Sequence, residues 1–224
     1  MCGRLDQNHT AEEYLQALEW LAKNSSSSPG RFNAPPGTDR AIFHYWNGQL
    51  NAEDVHWGYK APWADSKKEY SNARRDKLLG GYWKGLLKKC RGVIAVDGWY
   101  EWTGEKPNKQ AWHIHRKDRQ PILLAALTTI DPAKDTEHKA FTIITDDALG
   151  GMVDVHDRRP VALNPEDAQT WMMDTFTPEE ANDFILNRAL GPEFFEWYEV
   201  DKAVGNSKNE SPMFANRLRK DELF

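Results

Sequence analysis

The sequence predicts an α+β fold: a single domain over residues 1–224, built mainly of antiparallel β-sheets around a barrel-like core, with a few peripheral helices. Three observations predict it. Short runs rich in β-branched and aromatic residues recur through the chain, separated by turn residues. An Asn-Gly pair joins two such runs as a hairpin. Helix-start signals are few and lie near the two ends of the chain.

Taken in order, Thr10 and Glu13 read as a capping box, opening an amphipathic helix to about Lys23 with Tyr14, Leu15, Leu18 and Leu21 on its apolar face. Residues 24–30, Asn-Ser-Ser-Ser-Ser-Pro-Gly, read as a loop too short to link domains. Residues 41–46 and 49–57 flank Asn47-Gly48 as hairpin strands. Strands are expected over 92–102, 111–116, 121–129 and 140–145. Asn164-Pro165-Glu166 and Thr177-Pro178-Glu179-Glu180 each place an N-cap, a proline in the first turn and acids behind it, so two C-terminal helices follow. Phe194–Val200 reads as a late strand, and no internal repeat or low-complexity tract occurs.

At 224 residues the chain is long enough to bury a sizeable core, and 28% charged with 40% hydrophobic residues describes a globular protein. Its net charge of -5 argues against coating nucleic acid by bulk charge. The charge is uneven, however. Residues 67–91 carry nine Lys/Arg against two acids, a local +7, on a remainder of -12. Such a block is either a phosphate-binding strip or a solvated face. Two cysteines, Cys2 and Cys90, make no disulfide framework, and neither a secretory leader nor an apolar run of about 20 residues is present. A cytoplasmic protein with access to the nucleoid, no membrane partner, is the expectation.

Cys2 carries the most chemical information. Removal of Met1 leaves an N-terminal cysteine, with an amine of pKa about 7.7–8.0 and a thiol of about 8.5 on adjacent carbons. Such a 1,2-aminothiol suits acyl transfer, the thiolate attacking and the amine acting as base. It equally suits capture of an aldehyde, where the amine forms an imine and the thiol closes a five-membered thiazolidine. A small buried hydrophobe is the plain structural alternative.

Further segments narrow the choice: Met1-Cys2-Gly3-Arg4, Arg31-Phe32-Asn33-Ala34-Pro35-Pro36, Trp57-Gly58, Pro62-Trp63, Asn72-Ala73-Arg74, Asp97-Gly98-Trp99-Tyr100-Glu101-Trp102, His156-Asp157-Arg158-Arg159-Pro160 and Val204-Gly205-Asn206-Ser207-Lys208-Asn209. In this order and spacing the sequence resembles the SOS response-associated peptidase (SRAP) family, whose members cross-link to abasic sites in single-stranded DNA. The chain departs from the family pattern after Asn72-Ala73-Arg74, where Arg75-Asp76-Lys77 replaces x-Glu-Thr/Ser.

The resemblance implies a catalytic set of Cys2, Asn72, Glu101 and His156. Cys2 would be the nucleophile, Glu101 would orient and deprotonate its amine, His156 would act as general acid/base, and Asn72 would hydrogen-bond near the reacting carbon. Arg74 and Arg158 would hold phosphates as charge-assisted forks, with Arg4 a weaker third. Trp63, Trp99 and Trp102 would stack or wedge against bases. Single-stranded DNA bearing abasic sites is the implied partner of a monomer that needs no cofactor. A lyase side reaction follows if the imine undergoes β-elimination before the ring closes. His113 and His115 share a strand face, but without a cysteine or carboxylate cluster they read as a surface pair rather than a zinc site. A glutamine amidotransferase or hydrolase using Cys2, a protease acting on other proteins, and a non-catalytic DNA-binding module are the competing readings.

Overall fold

The structure, a computed structural model, describes residues 2–64, 68–131, 138–173 and 175–218. Thirteen strands and four α-helices occur among them: β1 (Leu5–Gln7), α1 (Ala11–Ala17), β2 (Arg31–Ala34), β3 (Asp39–Trp46), β4 (Gln49–Trp57), β5 (Asn72–Arg74), α2 (Lys84–Lys89), β6 (Arg91–Val96), β7 (Gly98–Thr103), β8 (Gln110–Arg116), β9 (Ile122–Thr128), β10 (Ala140–Asp147), β11 (Arg158–Pro160), β12 (Ala162–Leu163), α3 (Pro165–Met172), α4 (Pro178–Arg188) and β13 (Phe195–Val200). The fold is α+β, as the sequence predicts.

Two sheets carry it. The smaller has the order β13-β8-β7-β1-β2, all antiparallel. The larger runs β11-β10-β4-β3-β6-β9-β12, with β5 added beside β10. Because β10 pairs with both β4 and β9, the strands β10-β4-β3-β6-β9 come round into a ring. This is the barrel-like element; β10 runs parallel to β4 and β5, and every other pairing is antiparallel. Alternation along the strands splits the core into layers. Leu5, Trp99 and Ile114 of the small sheet pack with Ile94, Leu124 and Phe141 of the large one. Ala95, Leu123 and Ala125 face the other way, under α1, α3 and α4. The helices are therefore peripheral.

Asn47 (φ 49°) and Gly48 (φ 72°) make the expected hairpin turn. Both C-terminal helices start as read, with Asn164 and Thr177 accepting from the backbone N–H of Asp167 and Glu180.

Two expectations need correction. The first helix has its complete capping box but ends at Ala17, not near Lys23. Glu19 adopts a left-handed φ of 55°, which costs about 1–2 kcal/mol. That turn brings Trp20 edge-on to Phe43 at 6.0 Å and buries it, a gain of at least comparable size. Leu21, expected on the apolar face, is left 95% exposed. The second correction concerns residues 92–102, expected as one strand. They form two strands in different sheets, β6 and β7, with Asp97 at the corner. Asp97 accepts from Tyr14 Oη and from the backbone N–H of Asn8 (3.1 Å), and lies 2.8 Å from His9 Nδ1. The corner thus fastens the N-terminal segment and α1. Gly98 follows because a Cβ there would lie 2.3 Å from His113 Nε2 and 2.6 Å from the Ile114 carbonyl oxygen.

Candidate active site

Cys2 stands three residues before β1, the strand held between β7 and β2, and is fully buried. Asn72 opens β5, which β10 carries in parallel, and its Nδ2 donates to the Cys2 carbonyl oxygen at 2.8 Å. Tyr100 N–H donates to the Arg4 carbonyl oxygen at 3.0 Å, so the N-terminal segment lies along β7, the strand that bears Glu101. Alternation puts Glu101 on the same inward face as Trp99, and it is 3% exposed. His156 lies in the turn before β11, and its Nε2 is 3.9 Å from Glu101 Oε2. Four separate segments therefore converge.

Burial governs the electrostatics. The Glu101 carboxyl is pushed up to about 7, chiefly because burial penalises its charge, with the Asp157 carboxylate adding to the rise. Burial, and then the Glu101 charge, push the Cys2 thiol far up. Burial lowers the His156 imidazole. Its Nδ1 lies 3.0 Å from the Arg158 backbone N–H and 2.7 Å from Asp157 Oδ1. The neutral ring can accept from that amide, and the charged ring can donate to Asp157, so both protonation states find a partner. Trp99, Ile114, Met152 and Trp197 wall a crevice whose polar members include Glu101, His156 and Arg158. A carboxylate–imidazole pair beside the Cys2 thiol is a set suited to proton transfer during covalent chemistry.

The arginines are held by aspartates. Arg74 offers Nε and Nη2 to the two oxygens of Asp76, at 2.9 and 2.8 Å. Arg158 donates through Nη1 to Asp147 and through Nη2 to the Thr145 carbonyl oxygen at 3.0 Å. Sequence reasoning missed both aspartates. Asp76 lies in the short 3-10 turn, Arg75–Lys77, that ends β5, and that turn folds it back onto Arg74; Asp147 had no signal, because strand register alone sets it opposite Arg158.

Arg4 lies 5.7 Å from the Trp102 ring and donates from Nη1 to Asn33 Oδ1 (2.7 Å) and the Val204 carbonyl oxygen (2.9 Å). The fully buried Asn33 in turn donates to the carbonyl oxygens of Asn206 (3.0 Å) and Asn209 (2.8 Å). The early Arg-Phe-Asn segment and the late Val-Gly-Asn segment are thereby stitched together behind the site.

The tryptophans separate. Trp63 is 66% exposed, resting edge-on against Tyr82 at 5.3 Å. Trp102 is half-buried. Trp99 is 2% exposed and packs edge-on to Phe195, so it is a wall of the crevice and not a surface for bases. His113 and His115 are also not a surface pair. Both are 2% exposed, His113 Nε2 lying 2.9 Å from Asp6 Oδ2 and His115 Nε2 3.3 Å from Glu196 Oε1. Among the described residues no group of three or more His, Cys, Asp or Glu is placed to hold a metal ion. No helix among them is long and apolar enough to cross a membrane.

The basic block is dispersed by the fold, and Lys67 lies outside the described residues. Arg91 is buried, donating to the carbonyl oxygens of Leu87, Lys88 and Trp171. Lys84 pairs with Glu179 and Arg75 with Asp146.

Comparison with known proteins agrees with this architecture. The family model described as SOS response associated peptidase (SRAP) matches residues 1–207. The abasic site processing protein YedK of Escherichia coli (strain K12) is 36% identical over 94% of this chain and 96% of its own. The abasic site processing protein HMCES of Xenopus tropicalis is 24% identical, over 86% of this chain and 68% of its own. Among solved structures, a phage-related protein from Bordetella bronchiseptica is 35% identical with a TM-score of 0.75, covering 90% of this chain and 95% of its own. A protein from Bacteroides thetaiotaomicron, 19% identical with a TM-score of 0.80 over 97% of this chain and 100% of its own, shares the fold. This chain belongs to the SRAP family.

Proposed function

We propose that the protein is a DNA-repair factor that processes abasic sites, and that it does so by joining Cys2 covalently to the lesion in single-stranded DNA. The observation that carries the reading is the convergence on Cys2: Asn72 bonded to its carbonyl, and Glu101, pushed up to about 7, paired at 3.9 Å with His156. The printed names of the relatives, abasic site processing proteins, support the same substrate.

The order of steps follows from the electrostatics. With Met1 removed, by the protein itself or by an aminopeptidase, Cys2 presents a free amine. An abasic sugar in its open form exposes an aldehyde at C1′. The thiol, raised by burial, stays protonated at neutral pH, so the amine attacks first. Glu101 takes a proton from the attacking amine and passes it to the aldehyde oxygen, and His156 supplies the second proton with which water leaves, giving the protonated imine. The thiol then adds to the imine carbon, losing its proton to Glu101, which returns it to His156 at 3.9 Å, while the nitrogen keeps the proton it already carries. The product is a thiazolidine, and the net loss is one water. If the ring fails to close, the imine is open to β-elimination, a lyase side reaction. Asn72 fixes the Cys2 backbone throughout. Arg74 and Arg158 receive the flanking phosphates, with Arg4 held back by Asn33, and Trp63 offers a face to an unpaired base. An unpaired lesion needs no flipping, which favours single strands. The protein acts as a monomer in the cytoplasm, at the nucleoid when bound.

Incubating protein of verified N-terminus with an abasic single-stranded oligonucleotide should give a heat-stable adduct on a denaturing gel, and intact mass should show Met1 loss and attachment together. Cys2→Ala should give none. Cys2→Ser, which keeps the amine alone, should give strand scission and no lasting adduct. A stable adduct in Cys2→Ala would falsify the reading.

A further inference from the structure

The guanidiniums assigned to phosphates are both engaged by carboxylates, but in different ways. Asp76 takes the side of the Arg74 guanidinium, Nε and Nη2, in a two-point contact. It also stands 3.9 Å from Arg158 Nη2 and 3.8 Å from Lys77 Nζ. The end of the Arg74 fork, Nη1 with Nη2, is directed away from that contact, and the Arg74 side chain is 54% exposed. Asp147 instead meets Arg158 at one point, Nη1, while the Thr145 carbonyl occupies Nη2. The Arg158 side chain is 8% exposed and that of Asp147 is 78% exposed. One carboxylate thus braces a guanidinium from the side, and the other covers a guanidinium where an incoming oxyanion would sit.

We infer that the two aspartates have opposite effects on DNA: Asp76 is a positioning residue that aims Arg74 and Arg158 at the backbone, and Asp147 is an internal stand-in for phosphate that DNA must displace from Arg158. The inference rests on the reading of Arg74 and Arg158 as phosphate ligands. Carboxylate and phosphate oxygens both accept from a guanidinium N–H, so the exchange leaves Arg158 Nη1 with a charged acceptor before and after. Asp147 is free to move because its side chain is almost entirely in solvent, whereas Arg158 stays anchored by the Thr145 carbonyl. Free protein never carries an uncovered buried cation, and DNA that brings no phosphate to this point gains nothing in exchange.

The test uses the full chain and an undamaged single-stranded oligonucleotide, with binding read by fluorescence anisotropy at fixed salt. Asp147→Asn and Asp76→Asn remove the same unit of negative charge, so a general charge effect tightens both. The expected result is divergence: Asp147→Asn tightens binding and Asp76→Asn weakens it, each by about threefold, the scale of an exposed charge pair. In an Arg74→Ala background the Asp76→Asn effect should shrink towards nothing, because it acts through Arg74. Tightening in both variants, weakening in both, or no change in Asp147→Asn overturns the inference. Cross-linking to an abasic oligonucleotide is the separate arm. If adducts form through Cys2 while the aspartate variants fail to diverge, this inference falls and the proposed function stands. If Arg74→Ala and Arg158→Ala leave DNA binding unchanged, the phosphate reading itself is wrong.

Discussion

Glu101 places a carboxyl where its charge is poorly solvated, and this has a sign for stability as well as for catalysis. Its ordinary value of 4.5 is raised to about 7 in the folded protein. Between those values the folded state holds a proton that the unfolded chain has released. From this group, stability is greatest below the ordinary carboxylate range and falls as pH rises to about 7, by roughly 3 kcal/mol in all. Glu101→Gln should remove that slope, so urea melts should show the variant gaining on the wild type between about pH 5 and pH 8. A constant difference across that range contradicts the assignment. Cross-linking should behave oppositely, its rate rising through about pH 7 as the carboxylate forms, with the rise lost in Glu101→Gln. Trp63 gives a second residue-scale outcome. Its ring is 66% exposed, so Trp63→Ala should leave the thermal midpoint nearly unchanged while weakening single-strand binding by about 1–3 kcal/mol, measured by anisotropy.

At the scale of elements, most of the fold was legible and its corners were not. The hairpin at Asn47-Gly48 and the capped starts of α3 and α4 depend on local backbone chemistry, which a sequence states directly. The end of α1 depends on Trp20 reaching Phe43, and the break at Asp97 depends on Tyr14, His9 and Asn8, none of which is local to it. The site divided likewise. Cys2, Asn72, Glu101 and His156 stood in recognisable segments, whereas Trp99 reads as a stacking residue until strand alternation turns it inward. The same long-range logic makes Asn33 testable. It joins Arg4 to the carbonyls of Asn206 and Asn209 without exposure to solvent, so Asn33→Ala leaves several buried polar groups unpaired. We expect a loss of about 2–3 kcal/mol and a thermal midpoint lower by roughly 5–10 °C in calorimetry.

For the whole molecule, the charge pattern is the point on which structure most changes the sequence-level picture. A +7 segment on a -12 remainder suggests a broad basic face. The fold instead buries Arg91, ties Lys84 and Arg75 to acids, and leaves Arg74 and Arg158 beside the site. Two or three phosphate contacts on single-stranded DNA give a log–log salt slope of only about −1.4 to −2.1. A titration of binding against salt checks this, and a slope steeper than about −4 would mean that the whole strip engages. Under the proposed function, durable attachment then rests on the covalent bond. The ten tryptophans fit the same picture: Trp63 alone is exposed, and the rest are buried or half-buried in the layers between sheets and helices.

The corner at Asp97 has one more consequence. It joins β6 of the ring to β7 of the small sheet with no intervening loop, so the two sheets cannot slide or part without breaking pairings on both sides. Glu101 rides on one side of that joint. Asn72 and His156 ride on the other, through β5 and β11 against β10. Among the described residues such a frame holds Glu101, Asn72 and His156 in fixed relation before DNA arrives, so under the proposed function no closure is needed to assemble them. Adduct formation should therefore ignore the friction of the solvent. Thickening the medium with sucrose should leave the single-turnover cross-linking rate where it was.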